Sequence, residues 1–211
     1  MQPVTLYCDA RWVSPWVLAV WAALQEKGIP FESRPLDLLK GDHREPEFAR
    51  RSLTGKVPVL AHGDAWIGES LAILEYLEES FGPPAHPRLY PEEPAERARD
   101  RHILSWLRSD LFELRRCMPF EGIFLEGVPR PAITPKAREE AETLLRVVAT
   151  RISTSRRTPT LADHELAFAM RRLVHHGYDL ADRQDAIAYS EAIWNRSSVQ
   201  SWMRQRKSAA A

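Results

Sequence analysis

A proline-rich stretch at residues 82–94 constrains the fold of this 211-residue chain more than any other feature. It has no hydrophobic periodicity and contains five prolines. These are Pro83, Pro84, Pro87, Pro91 and Pro94. Proline lacks a backbone N–H, so it fits neither a helix interior nor a central strand. Because the patterns on its two sides differ, we interpret residues 83–94 as a stiff linker between a domain at residues 1–82 and a domain at residues 95–211.

The first domain opens with a strand–helix–strand pattern. Residues 4–8 and 30–38 are rich in β-forming residues and predict two strands. Between them, Ser14 stands at a helix N-cap, Pro15 at the first helical position and Gly28 after the last turn. A crossover of this kind implies that the two strands are parallel.

The remainder of this domain predicts a hairpin followed by a helix. A short helix begins at Pro46, and the turn-forming residues 62–64 separate two short strands at 57–61 and 65–67. A helix over residues 70–81 follows. The domain is therefore expected to be a small mixed sheet with helices.

Residues 55–70 are the first candidate for a binding site. Pro58 lies near a strand start, where it is either a proline at a strand entrance or a cis proline that shapes a turn. Ser70 begins a helix, and helix N-termini favour anions. A backbone edge at Val57 beside that helix start predicts a grip for a small peptide that carries a carboxylate.

The second domain is predicted to be all-α. A stripe of apolar residues at spacings of three and four predicts one continuous helix of about five turns. Its members are Leu104, Leu107, Leu111, Leu114 and Met118. Further helices are predicted at residues 135–152, 180–194 and 199–206. Another opens at Thr160, where Asp163 completes the form of a capping box.

Composition excludes several classes of function. The chain carries 29 basic and 29 acidic residues, a balance that argues against a nucleic-acid or anionic-membrane partner. No apolar run approaches the roughly 18–20 residues of a membrane helix. The N-terminus lacks a signal-peptide pattern, so we expect a cytoplasmic protein. Cys8 and Cys117 form no C-x-x-C motif, and the adjacent His175 and His176 point apart on a helix, so we expect no metal site.

The order and spacing of these motifs resemble the cytosolic glutathione S-transferase superfamily. The resemblance rests on residues 55–60 (GKVPVL), Glu69-Ser70 before a helix, Ser14-Pro15-Trp16 and the capping box, and it extends from residue 4 to 203. It is greatest to serine-type bacterial members, among them stress-protective enzymes with glutathione-dependent peroxidase activity. It implies an α/β thioredoxin-like N-terminal domain (βαβ–ββα) followed by an all-α C-terminal helical domain.

The resemblance also implies a glutathione site. Pro58 becomes a cis proline, and the Val57 backbone pairs with the cysteinyl part of glutathione. Ser70 takes the γ-glutamyl carboxylate and Glu69 faces the amine. His43 matches a histidine that contacts the glycine end in some classes, and Lys56 is a weaker candidate for that end.

Ser14 is the residue that the resemblance marks as catalytic. The thiolate of glutathione is the nucleophile, and a hydrogen bond from the Ser14 hydroxyl would stabilise it. The alternative is that Ser14 is only a helix N-cap. The seven tryptophans are expected to lie mostly in the core, although Trp12 and Trp16 could wall this site.

The implied function is conjugation of glutathione to electrophiles, glutathione-dependent peroxide reduction, or both, in detoxification and oxidative stress. Glutathione is then a co-substrate, no metal is needed, and a homodimer is expected. Two alternatives remain open: a non-catalytic binding module with the same fold, and a thiol transferase that works through Cys8.

Overall fold

The computed structural model describes residues 2–154 and 158–210, and Met1, residues 155–157 and Ala211 lie outside the described part. The chain divides into two compact units. One consists of Met1–Leu89 together with Ser197–Ala211, and the other of Tyr90–Arg196.

The first unit contains a four-stranded mixed sheet with helices. Its elements in chain order are β1 (Val4–Asp9), α1 (Pro15–Glu26), β2 (Glu32–Leu36), α2 (Pro46–Arg51), β3 (Val59–His62), β4 (Ala65–Gly68) and α3 (Ser70–Ser80). The strand order is β2-β1-β3-β4, with β1 parallel to β2 and antiparallel to β3. The predicted parallel crossover and the predicted β3–β4 hairpin are both confirmed.

The start of β3 differs from the prediction. The sequence indicated a strand from residue 57, but the ladder begins at Val59. Pro58 has no N–H to donate to a ladder, so pairing starts only after it. Val57 and Pro58 therefore lie just outside the sheet, at its edge.

The part of the proline-rich stretch that belongs to the first unit, up to Leu89, contacts a buried ion pair. The side chain of Lys27, which has no exposed surface, donates to Glu78 Oε1 at 2.6 Å and to the Pro87 carbonyl at 2.8 Å. Glu78 Oε1 also accepts the Leu89 N–H at 3.0 Å. The chain up to Leu89 is thus held against the C-terminal end of α1 and the last turns of α3.

The second unit is helical, as predicted. Its helices in chain order are α4 (Pro94–Ser109), α5 (Phe112–Cys117), α6 (Pro135–Ser153), α7 (Leu161–His175) and α8 (Gln184–Trp194). The Thr160 N–H donates to the Asp163 carboxylate at 2.7 Å, as a capping box at the start of α7 requires. The last helix, α9 (Ser197–Ala210), belongs to the first unit, where it packs on α1.

The prediction of one continuous helix along the apolar stripe is wrong. Asp110 is extended and Leu111 is left-handed, with φ 59°, so α4 ends and α5 begins there. Arg115 donates to the carbonyls of Leu107 and Arg108 at 3.0 and 3.4 Å, which satisfies the C-terminal end of α4. The stripe is still buried, since Leu104 has no exposed surface and its other four members belong to one hydrophobic cluster.

None of the helices in the described part of the chain combines the length and the apolar character that crossing a membrane requires.

Candidate active site

One edge of the sheet gathers the segments on which the predicted site depends. β1 runs towards this edge and ends at Asp9, while β3 starts there in the opposite direction, with Tyr7 paired to Val59. Val57 precedes β3 by two residues, so it lies at the end of the sheet where β1 finishes. The loop that leaves β1 carries Ser14, so Ser14 and Val57 belong to the same end of the sheet.

The hairpin returns the chain to that edge. Gly68, the last residue of β4, pairs with Val59, so Glu69 and Ser70 leave the sheet at the end where Pro58 enters it. Thr54, in the loop before β3, also approaches this point, since a Cβ on Gly68 would lie 3.8 Å from its hydroxyl. The structure thus brings the Val57 and Ser70 segments together, as the sequence predicted.

Ser14 is the N-cap of α1. Its backbone is extended, with φ −75° and ψ 121°, and its Oγ accepts the Val17 N–H at 3.4 Å, which is a long bond for a cap. The side chain is half-buried. In residues 2–154 and 158–210 the Ser14 hydroxyl finds no acceptor for its own hydrogen. The N-cap role is therefore real, and it leaves the hydroxyl hydrogen available for a second partner.

Asp9 shapes the turn that carries Ser14. Its carboxylate accepts the Val13 N–H at 2.8 Å through Oδ2 and the Ser14 N–H at 3.3 Å through Oδ1. Its carbonyl accepts the Trp12 N–H at 3.1 Å. Sequence reasoning passed over this residue, although an Asp at a strand end before a Ser-Pro helix start is a signal for such a turn.

The Val57–Pro58 peptide is cis, as the resemblance implied. Val57 is half-buried, Pro58 is buried and Lys56 is exposed. Gly55 has φ +61°, a conformation that favours glycine, and its N–H donates to Ser52 Oγ at 3.1 Å. A tight turn therefore delivers the chain to the cis peptide.

Glu69 and Ser70 form the junction between β4 and α3. Glu69 is exposed and has φ 63° and ψ 118°, a conformation that is uncommon for a residue with a side chain and that often occurs at functional sites. Ser70 is the first residue of α3 and only 6% exposed. The first turn of a helix presents N–H groups that attract anions, so this junction suits a carboxylate.

His43 lies beyond the end of β2, in a short 3-10 helix at Asp42–Arg44. Asp42 holds this segment against the strand end by accepting the Asp37 N–H at 2.8 Å. His43 is half-buried, and its Nδ1 is buried without a hydrogen-bond partner in the described part of the chain. No described hydrogen bond or ring contact joins His43 or Lys56 to Ser14.

Cys8 and Trp12 belong to the core. Cys8 has no exposed surface, and burial, to which the charge of Asp9 adds, raises the pKa of its thiol far above the ordinary value. A thiol in that state does not supply a thiolate, which argues against a thiol transferase that works through Cys8. Trp12 was a candidate to wall the site, but it is a core residue: it is fully buried, with ring centroids 5.4 Å from Trp21 and 4.9 Å from Trp202.

Trp16 is half-buried and remains a candidate for the wall. Across the described residues there is no group of three or more His, Cys, Asp or Glu side chains that could hold a metal ion.

Family models match both halves of the chain. The model for the glutathione S-transferase N-terminal domain matches residues 13–80, and the model for the glutathione S-transferase C-terminal domain matches residues 93–207. The second match alone covers more than half of the chain.

Curated relatives carry the same family name. Glutathione S-transferase 1 of Dianthus caryophyllus is 39% identical over 114 residues, which is 54% of this chain and 49% of that protein. Human glutathione S-transferase theta-2 is 41% identical over 88 residues, which is 42% of this chain and 35% of that protein. The chain therefore spans about half or less of the length of these curated relatives.

Solved structures match over nearly the whole chain. A glutathione transferase homolog from Burkholderia with bound glutathione is 31% identical, with a TM-score of 0.78 and coverage of 99% of both chains. A maleylacetoacetate isomerase from Methylobacterium extorquens, with bound malonate and glutathione, is 30% identical, with a TM-score of 0.71 and coverage of 96% of this chain and 97% of that one. Because both family models and a full-length structural relative agree with the observed sheet and helices, the chain belongs to the glutathione S-transferase family.

Proposed function

We propose that this chain is a glutathione transferase in which Ser14 activates the thiol of bound glutathione. The observation that carries the proposal is the state of the Ser14 hydroxyl. It lies half-buried at the N-terminus of a 12-residue helix, accepts one backbone N–H, and has a hydrogen left to donate. A donor in that position suits a thiolate at the sheet edge.

Binding is assigned to the same edge. The Val57 backbone, which lies outside the ladder, would pair with the cysteinyl part of glutathione. Ser70 and the first turn of α3 would take the γ-glutamyl carboxylate, and the exposed Glu69 would face the amine. His43 and Lys56 would contact the glycine end. Two structural relatives have glutathione bound, which supports a glutathione site in this fold.

The chemistry requires a thiolate at neutral pH. A free thiol has a pKa of about 8.5, so only a few per cent is ionised. A hydrogen bond to a charged group contributes about 1.5–3 kcal/mol, which corresponds to a pKa lowered by roughly one to two units. Ser14, with the N-terminus of α1 behind it, is the group that would supply this stabilisation.

The thiolate would then attack either an electrophilic carbon or a peroxide oxygen. At the carbon of an aryl halide, the C–S bond of a thioether forms, the carbon–halogen bond breaks and the halide leaves. In the second case the O–O bond breaks, the alcohol leaves, and a second glutathione converts the sulfenic acid to glutathione disulfide and water. We assign both reactions to the same site. For the protein as a whole we propose a cytoplasmic location, a homodimeric state and a role in detoxification and oxidative stress.

The test compares Ser14→Ala with Thr134→Ala. Both variants remove a helix N-cap, since Thr134 accepts the Ala137 N–H at 3.1 Å at the start of α6, but only Ser14 lies at the proposed site. Wild type and both variants should be retained on immobilised glutathione. At neutral pH, kcat/KM towards an aryl halide and towards an organic hydroperoxide should fall roughly 10- to 100-fold in Ser14→Ala only.

Two results would overturn the proposal. One is a wild-type protein that fails to bind glutathione at millimolar concentration, and the other is a Ser14→Ala variant with wild-type rates. Retention on glutathione without turnover of any electrophile or peroxide would favour the non-catalytic binding module. The homodimer is tested separately, because a sizing measurement at 24.2 kDa rather than twice that mass would contradict it.

A further inference from the structure

We infer that Asp9 is a positioning residue for Ser14: it fixes the turn between β1 and α1 so that the Ser14 hydroxyl is aimed at the sulfur of bound glutathione. This inference rests on the proposed function of Ser14. Asp9 does not touch the substrate in this account and acts only through the turn.

The carboxylate of Asp9 is placed to hold Val13 and Ser14, the two residues that precede α1. Asp9 is the last residue of β1 and only 5% exposed, so it is anchored by the sheet. Its two oxygens accept the consecutive N–H groups of Val13 and Ser14, at 2.8 and 3.3 Å. The orientation of the Ser14 peptide, and with it the direction of its side chain, is therefore set from the end of a strand.

A second anchor prevents the turn from compensating for changes at Asp9. Trp12 is left-handed, with φ 53°, and is fully buried between Trp21 of α1 and Trp202 of α9. The backbone N–H of Trp12 donates to the Asp9 carbonyl at 3.1 Å. Because an indole in this packing cannot shift without a cavity, the turn has little freedom except at Val13 and Ser14.

Asp9 exerts two effects of opposite sign on a thiolate bound near Ser14. As a positioning group it favours the thiolate, because it aims a donor. As a negative charge it disfavours the thiolate through repulsion. The substitution Asp9→Asn removes the charge and also disturbs the turn. Val13 and Ser14 donate to different carboxylate oxygens, so one of their N–H groups would face the NH2 of the amide. Because the two effects have opposite signs, the direction in which the pKa of the bound thiol moves shows which one is larger.

The experiment is a double-mutant cycle between Asp9→Asn and Ser14→Ala, read as kcat, KM for glutathione and the pH profile of kcat/KM. We expect Asp9→Asn to lower kcat/KM about tenfold in the wild-type background, to leave KM within about twofold, and to move the acidic limb of the profile upward by roughly one pH unit. In the Ser14→Ala background the same change should not lower kcat further, because only the positioning effect acts through Ser14.

Matched variants separate positioning from charge and from general stability. Glu93→Gln changes another carboxylate that accepts two backbone N–H groups before a Pro-initiated helix, and it should leave the pH profile unchanged. Asp9→Glu keeps the charge but lengthens the side chain, and it should also lose rate. If Asp9→Asn does not fold, hydrogen exchange in the wild type decides, because the Val13 amide must then be strongly protected.

The outcomes distinguish this inference from the proposed function. A Ser14→Ala variant with full activity would defeat both. Suppose that Ser14→Ala loses activity. The Asp9 inference alone then fails if Asp9→Asn keeps full activity or lowers the pKa of the bound thiol. It also fails if Asp9→Asn lowers kcat equally in the wild-type and Ser14→Ala backgrounds. Rapid exchange of the Val13 amide in the folded wild type would overturn it as well.

Discussion

Replacing Lys27 by methionine should destabilise the protein more than any change on its exposed surface. The Lys27 side chain is fully buried and its ammonium group has two short partners, Glu78 Oε1 at 2.6 Å and the Pro87 carbonyl at 2.8 Å. Lys27→Met keeps most of the volume and removes the charge. The Glu78 carboxylate, 7% exposed, then stays in the interior without its cation.

The expected cost follows from that geometry. Removing one partner of a buried ion pair destabilises a protein by about 3–5 kcal/mol, because the other charge remains desolvated. For a chain of this size, each kcal/mol lowers the melting temperature by roughly 2–4 °C, so the midpoint should fall by about 10 °C. In Lys27→Met/Glu78→Leu, replacing both charges by apolar groups should recover most of the loss. The residual cost is about 1 kcal/mol, since the Leu89 N–H loses its acceptor.

The assay is thermal and urea unfolding, followed by far-UV circular dichroism and tryptophan fluorescence. Lys136→Met is the matched control, because Lys136 pairs with Glu139 at a similar 3.0 Å but both side chains are exposed. Its midpoint should not change. A Lys27→Met midpoint shift no larger than that of the control, or a double variant less stable than Lys27→Met, would refute the reasoning.

Two further substitutions and one labelling experiment test separate parts of the structure. Burial lowers the pKa of His176, so the free energy of unfolding should fall as pH drops below 6.5 through that lower value, and His176→Gln should remove this slope in urea titrations at several pH values. Asp163→Asn removes a buried carboxylate that accepts a hydrogen bond from Arg151 at 2.6 Å, so the free energy of unfolding should fall by about 3 kcal/mol. An unchanged free energy of unfolding would show that the pair does not stabilise α7. A chromophoric thiol reagent should react with neither cysteine in the folded protein and with both in urea, and rapid labelling of Cys8 would revive the thiol-transferase alternative.

Local signals were sufficient where structure depends on neighbours in sequence. The helix α1 begins at Pro15 and ends before Gly28, as its N-cap, first-turn proline and terminal glycine predicted. The Thr160 capping box and the hairpin turn are similar cases. Each of these depends on hydrogen bonds or dihedral preferences within a few residues.

Features that depend on distant packing were not visible in the sequence. Trp12 looked like part of an active-site wall because it stands near Ser14, yet Trp202 of the last helix covers it. The apolar stripe continues through Leu111, but the helix does not. The spacing of apolar residues indicates which side chains are buried and does not show that the backbone of one of them is left-handed. The part that Asp9 plays in the turn is different, because it is a local contact whose signal, an Asp at a strand end before a helix start, was passed over.

The most direct test of the central claim is the ionisation of glutathione bound to the protein. The ultraviolet absorbance of the thiolate, titrated against pH in wild type and in Ser14→Ala, gives the pKa of the bound thiol. The account predicts a pKa roughly one to two units below that of free glutathione in the wild type, and a value close to the free one in Ser14→Ala. The same bound-thiol pKa in both proteins would contradict it.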